Sequence, residues 1–196
     1  MPARVKAFCE SHGQPIEPVM LTHPGMGLDW HLGQSQTYFN LMCGGYDAVV
    51  LQHNAHPFPG KDSLLEAGEK MATLTPEDTK IYLYMTWSEK NNPEGQAVMS
   101  EAYEALANKI GADVCPVGRV WWQAAKAHPD EELYFADGEH SSVLGASLSA
   151  AVIGRTLLEM EVTAEDCYAD AKVLEKLELD PRMIDLVMRD GKLDMA

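Results

Sequence analysis

The chain has 196 residues, 46% of them hydrophobic, which is enough to bury a full core within one domain. Its 30 acidic against 15 basic side chains give a formal net charge of −15, so a phosphate backbone or an anionic lipid surface is repelled rather than gathered. Nucleic acid and membrane are therefore excluded as expected partners, and no run approaches the roughly 18 apolar residues of a membrane span.

The opening Met1-Pro-Ala-Arg-Val-Lys-Ala-Phe8 has basic residues but no long apolar stretch behind them, so the sequence as given carries no export signal and a cytoplasmic location is expected. Residues 2–12 fit a helix with Pro2 in its first turn, Val5, Phe8 and Cys9 on one face, and Gly13 as the stop. Ile16 to Thr22 reads as a strand. A glycine-bearing loop, His23 to Gly27, leads into a helical stretch from about Asp29 to Cys43, which Gly44-Gly45 ends. Tyr46 to Gln52 is apolar and β-branched, as expected of a buried parallel strand.

After the turn-rich segment His53–Gly60, Asp62 is expected to cap a helix over residues 63–73, and Lys80 to Thr86 forms the next strand. Glu94 to Ile110 is a long amphipathic helix closed by Gly111. A short strand comes next at Ala112 to Pro116, then a helix carrying Val120, Trp121 and Trp122. Ser142 to Met160 is the last helix of the core. Strands alternating with helices across short connections indicate an α/β fold with a parallel sheet covered on both faces.

Beyond Glu161 the pattern changes. Thr163-Ala-Glu-Asp166 begins one acidic helix, and Asp180-Pro181 begins another with Met183, Ile184, Val187 and Met188 on one side. The division is thus residues 1–160 as the α/β domain and 161–196 as a helical extension, expected to pack back on the domain or to join a second copy of the chain. The four cysteines, Cys9, Cys43, Cys115 and Cys167, show no C-x-x-C spacing and read as reduced, buried thiols.

The segment richest in chemistry is Tyr134-Phe-Ala-Asp137-Gly-Glu-His140-Ser-Ser-Val-Leu-Gly145, which leaves a strand end and enters a helix. With Asp137 three residues before His140, the carboxylate can accept from one imidazole nitrogen and fix the tautomer, while the other nitrogen serves as a general base. The competing reading is local: Asp137 and His140 merely close the loop and cap the helix.

This block resembles the last block of the SGNH/GDSL-type hydrolases, small serine esterases, which reads D-G-x-H-P-S before a glycine and an apolar helix. Two further stretches match the same family in order. Thr22-His-Pro-Gly25-Met-Gly-Leu28-Asp-Trp-His31-Leu32 looks like its glycine block, and Tyr46-Asp-Ala-Val-Val-Leu-Gln52-His-Asn54 looks like its third block; Tyr82 to Trp87 resembles the next core strand of the family. The resemblance implies a flavodoxin-like three-layer α/β/α fold, an esterase acting on a carbohydrate or other small ester, and no cofactor. It implies His140 and Asp137 as catalytic residues. It also implies an oxyanion hole built by a glycine-block N–H, nearest Gly25 with Gly27 competing, and by a third-block side chain, Asn54 or Gln52.

One part of the pattern is missing. The family opens with a central strand ending in Gly-Asp-Ser or Gly-Asn-Ser, whose serine is the nucleophile, and helix 2–12 corresponds to the segment just after that block. No Gly-Asx-Ser occurs in the chain; Gly60-Lys-Asp-Ser63 has an inserted lysine, and Ser141 and Ser142 stand at a helix start. An N-terminally incomplete chain is therefore expected, with the nucleophile unassigned. Two other readings stand beside the esterase. One is a non-catalytic SGNH-fold protein that binds a ligand or partner; the other is a metal-dependent hydrolase in which His23, His31, His53, His56 and His140 converge with Asp137, although no H-E-x-x-H spacing occurs. The tryptophans Trp30, Trp87, Trp121 and Trp122 read as core rather than as sugar platforms.

Overall fold

A computed structural model of the chain describes residues 1–177. Three short runs rich in β-branched, aromatic and leucine residues form a parallel sheet: β1 (Ala48–Leu51), β2 (Lys80–Tyr84) and β3 (Asp113–Cys115), in the order β1-β2-β3. The register pairs Val50 with Tyr82 and Leu83 with Val114. Parallel neighbours need crossover connections: α4 (Lys61–Leu74) joins β1 to β2 and α5 (Gly95–Ile110) joins β2 to β3, while α6 (Val117–Ala127) follows β3.

Alternation along the strands sends side chains to two cores. Tyr82, Tyr84 and Cys115 join one cluster, made with α1 (Pro2–Ser11), α6, α7 (Val143–Leu157) and α8 (Ala164–Leu174). Leu51, Leu83 and Met85 join the other, made with α4, α5 and the two short helices α2 (Leu28–His31) and α3 (Ser35–Cys43). The chain is thus α/β, with helices on both faces of the sheet. α7 is the axis of the first cluster: Leu148, Ala150, Ala151 and Val152 are fully buried, and α1, α6 and α8 all pack on it. The first helix of the C-terminal extension, α8, packs back on the domain, its Thr163 side chain capping it by accepting from the Asp166 N–H. The second expected helix, with Met183, Ile184, Val187 and Met188, lies outside the described residues.

Several expectations need correction. Ile16 to Thr22 is extended but is not a strand: among the described residues, no backbone hydrogen bond joins residues 15–22 to another main-chain group, and Pro18 has no N–H to give. The stretch from Asp29 to Cys43 is two helices, because the chain turns at Leu32–Gln34, where Gly33 donates to the Trp30 carbonyl. Asp62 is not a cap; α4 starts at Lys61 behind Gly60, with no side chain bonded to its first turn. The strand expected to be buried, Tyr46 to Gln52, is reduced to four residues at the sheet edge, and Val50 is 40% exposed because only β2 pairs with β1. Cys43 is exposed at the end of α3, whereas Cys9, Cys115 and Cys167 are buried as expected. Trp87 and Trp121 are core residues, their rings stacked 4.0 Å apart.

Candidate active site

Asp137 and His140 lie in a tight loop whose neck is an antiparallel bridge between Tyr134 and Ser141. Phe135 N–H donates to the His140 carbonyl at 2.7 Å and Ser142 N–H to the Leu133 carbonyl at 2.8 Å, closing the loop into a hairpin-like turn. The turn is built around one carboxylate. Oδ1 of Asp137 accepts from the N–H groups of Glu139 and His140, both at 2.9 Å, and Oδ2 lies 2.7 Å from Nδ1 of His140. The Glu139 N–H first, then the His140 ring and its N–H, hold the Asp137 carboxyl down to about 2. An ionised carboxylate only accepts, so Nδ1 carries the proton and Nε2 presents its lone pair. The imidazole is 76% exposed and Asp137 40%. Asp137 thus shapes the loop and orients the ring with the same side chain.

The loop is fastened to the sheet. Trp87 Nε1, just past β2, donates to the Glu139 carbonyl at 2.8 Å, and Lys90 N–H donates to the Gly138 carbonyl at 2.9 Å. Ser142 caps α7: its hydroxyl accepts from Gly145 N–H at 3.0 Å and donates to the Glu132 carbonyl at 2.7 Å, so it is committed away from His140.

A second group of candidate residues gathers just past the end of β1. His53 is 1% exposed and joins three elements. Its Nδ1 accepts from Leu28 N–H at 3.0 Å, its N–H donates to the Tyr103 hydroxyl at 3.2 Å, and its Nε2 lies 3.1 Å from Ser63 Oγ. Because Nδ1 accepts, the neutral ring carries its proton on Nε2 and donates to Ser63. That is the reverse of nucleophile activation, where the imidazole must accept from the hydroxyl. Burial pushes the His53 pKa down, which favours this neutral form.

The glycine block packs on the same histidine. A Cβ on Gly27 would lie 2.5 Å from Asn54 Oδ1 and 2.6 Å from the His53 ring, so the backbone approaches the third block where only glycine fits. Gly25 has φ +71° and open space around it, as a turn glycine does. Asn54 sends Nδ2 to the Pro57 carbonyl at 3.1 Å, and Gln52 is exposed just past β1. The structure thus brings Gly27, His53 and Asn54 together, with Gly25 two residues away in the same loop.

Two open concavities flank these groups. A cleft of about 750 Å³ is lined by Asp29, Tyr38, Ser63, Glu66 and Lys70 among others, and no dyad residue reaches it. A depression of about 300 Å³ is lined by Glu89, Lys90 and Asn91 on one side and residues 136–139, with Asp137, on the other. Among the described residues no three His, Cys, Asp or Glu side chains converge as a metal site would require. His53 uses both ring nitrogens on protein partners, and His23 and His31 pack on Trp30.

Sequence reasoning named His53 and His56 only as possible metal ligands; it did not foresee His53 as the link between α2, α4 and α5, nor the His56 ring nitrogens buried, among the described residues, without a hydrogen-bond partner. Their place directly behind a β-strand, at the carboxyl end of a parallel sheet, is the signal that could have found them.

No family model and no curated protein matches the chain. Among solved structures it is similar to a DUF4886 family protein from Bacteroides uniformis ATCC 8492, with a TM-score of 0.63 and 15% sequence identity over 87% of this chain and 86% of that one. At that identity the likeness establishes a common α/β fold.

Proposed function

We propose that this chain carries the base half of an SGNH-type serine esterase, which removes acyl groups, acetyl among them, from a carbohydrate or another small ester. The observation that carries the reading is the 2.7 Å contact between Asp137 Oδ2 and His140 Nδ1, with the opposite ring nitrogen on the exposed side of the loop. In this scheme Nε2 takes the proton of a serine hydroxyl as its oxygen attacks the acyl carbonyl. Asp137 stabilises the imidazolium that forms, and the proton then passes to the departing alcohol oxygen; water repeats the cycle to release the acid. A glycine-block N–H, from Gly25 or Gly27, and the amide of Asn54 or Gln52 would receive the carbonyl oxygen as it becomes negative.

Ser63, Ser141 and Ser142 are not candidates for the attacking oxygen. Ser63 receives a proton from His53, Ser141 stands at the loop neck, and Ser142 caps α7. The resemblance assigns the nucleophile to a strand leading into α1. The reading is supported by the outer edge of β1, unpaired among the described residues, and by Arg4 of α1, whose Nε donates to Ser147 of α7 at 3.0 Å. The test is to translate the gene upstream of Met1 in frame, express the extended chain and assay it on a short-chain aryl ester. A Gly-Asx-Ser block with turnover that His140→Ala abolishes, and that Asp137→Ala weakens less, is the expected result. Unchanged turnover in the His140 variant would sink the assignment.

A second reading, a non-catalytic SGNH-fold protein that binds a ligand or partner, is favoured by one observation. No serine hydroxyl among the described residues is hydrogen-bonded to His140 Nε2. An in-frame stop with no such block upstream would select it.

A further inference from the structure

His56 is out of keeping with its surroundings. Its side chain is 12% exposed and rests near Trp87, with ring centroids 6.4 Å apart, yet among the described residues neither ring nitrogen has a hydrogen-bond partner. Buried imidazoles are nearly always paired, and an unpaired one in a native fold calls for an explanation, a bound polar group among them. Its polar neighbour is Glu89, whose Oε1 stands 3.6 Å from Nδ1, beyond a hydrogen bond. Glu89 is fixed on its other oxygen, where Oε2 accepts from Asn92 at 3.2 Å, and it lines the depression that Asp137 also lines. Trp87 ties the ensemble to the dyad through its bond to the Glu139 carbonyl.

We infer that His56 and Glu89 together bind a neutral hydroxyl group of a ligand entering by the depression beside Asp137, the hydroxyl donating to Glu89 and accepting from the imidazole N–H. A neutral imidazole offers one donor and one acceptor, and a carboxylate only accepts, so the pair complements a group that both gives and takes a proton. Glu89, Asp137 and Glu139 around the depression disfavour an anionic ligand, and Lys90 is engaged by Glu132 at 2.5 Å. The ligand class is a polyol or sugar. Calling it the alcohol half of an ester substrate rests on the esterase reading; the binding itself does not. His56 lies behind Glu89 rather than in the lining of the depression, so the hydroxyl reaches Nδ1 as the Glu89 carboxylate shifts, 3.6 Å being short for a bridged pair.

The experiment is a titration of the whole chain with methyl α-D-glucopyranoside, followed by the ring nitrogens of His56 and the Trp87 indole N–H in nitrogen-edited NMR, with glucuronate as the anionic control. A saturable shift of both signals for the glycoside, at least ten-fold weaker for glucuronate, is expected. His56→Phe removes both orphan nitrogens and keeps an aromatic ring of similar size, so it should fold with an equal or higher Tm while the Trp87 shift is lost. Glu89→Ala should weaken binding at least ten-fold. The binding readout needs no turnover, so a failed esterase assay leaves this result standing. No saturable shift in the unaltered chain, or an undiminished Trp87 shift in a folded His56→Phe, overturns the proposal.

Discussion

The half of the molecule built on β3, α6, α7 and α8 and the half built on β1, α2 and α3 draw on similar apolar residues and treat them differently. In the first, ten residues of α7 from Leu144 to Gly154 are buried, and Trp121 lies flat against Trp87 with no exposed surface. In the second, α3 buries only Thr37 and Leu41 and leaves Phe39 69% and Met42 60% exposed, while Val50 of β1 faces an edge with no neighbouring strand. Hydrophobicity alone does not bury a side chain; a packed or hydrogen-bonded neighbour must be there to receive it. Stability should therefore be concentrated in the first half, and the second should behave as a surface that tolerates change.

The sharpest way to break this contrast is Trp121→Ala, which should cost about 3–5 kcal/mol through the lost ring and the cavity left behind, read as a fall in the urea midpoint. Smaller, but in the same half, Gly145→Ala should cost about 1–3 kcal/mol by overpacking. Its Cβ would fall 2.2 Å from the Leu133 carbonyl oxygen and 2.4 Å from the Trp121 ring, so α7 would have to move bodily.

The half built on β1 should show itself in pH. His53 is buried with its pKa pushed below the 6.5 of a free histidine, chiefly by desolvation. The unfolded chain therefore takes up this proton first as pH falls. The contribution is fully present above about pH 6.5 and drains away below it, down through the depressed folded value. Urea midpoints measured from neutral to mildly acidic pH should fall along that window, and His53→Gln should flatten the slope. His31, also depressed by burial, adds a part that survives in the variant. The least effect belongs to Phe39→Ala in the open half, within about 0.5 kcal/mol. A loss there approaching that of Trp121→Ala would erase the contrast.

The sequence carried the sealed half well. Periodic apolar residues marked α6 and α7, Ser142 and Thr163 stood at the starts of α7 and α8, and β2 and β3 stood out by their β-branched and aromatic runs. It misled where structure depends on a neighbour. Ile16 to Thr22 and Tyr46 to Gln52 have strand-like composition, but one has no ladder partner and the other has one where two were expected, and periodicity says nothing of pairing. At the site, the D-x-x-H spacing pointed to Asp137 and His140 because that interaction is local. The meeting of Gly27 with Asn54 and the anchoring of the dyad loop by Trp87 join residues tens of positions apart, and no local pattern encodes them. His53 and His56 look alike in sequence; only their packing separates a fully bonded ring from an unbonded one.

The exposed Cys43 gives the open half a chemical address. Its three companions are shut in the core, where burial raises the thiol of Cys9 and pushes those of Cys115 and Cys167 up to about 12, so they are poor nucleophiles at neutral pH. A maleimide fluorophore or spin label should therefore attach at one place without any cysteine being removed. That place is the end of α3, shortly before β1, so a single probe would report the arrival of any chain that pairs with the sheet's unpaired edge.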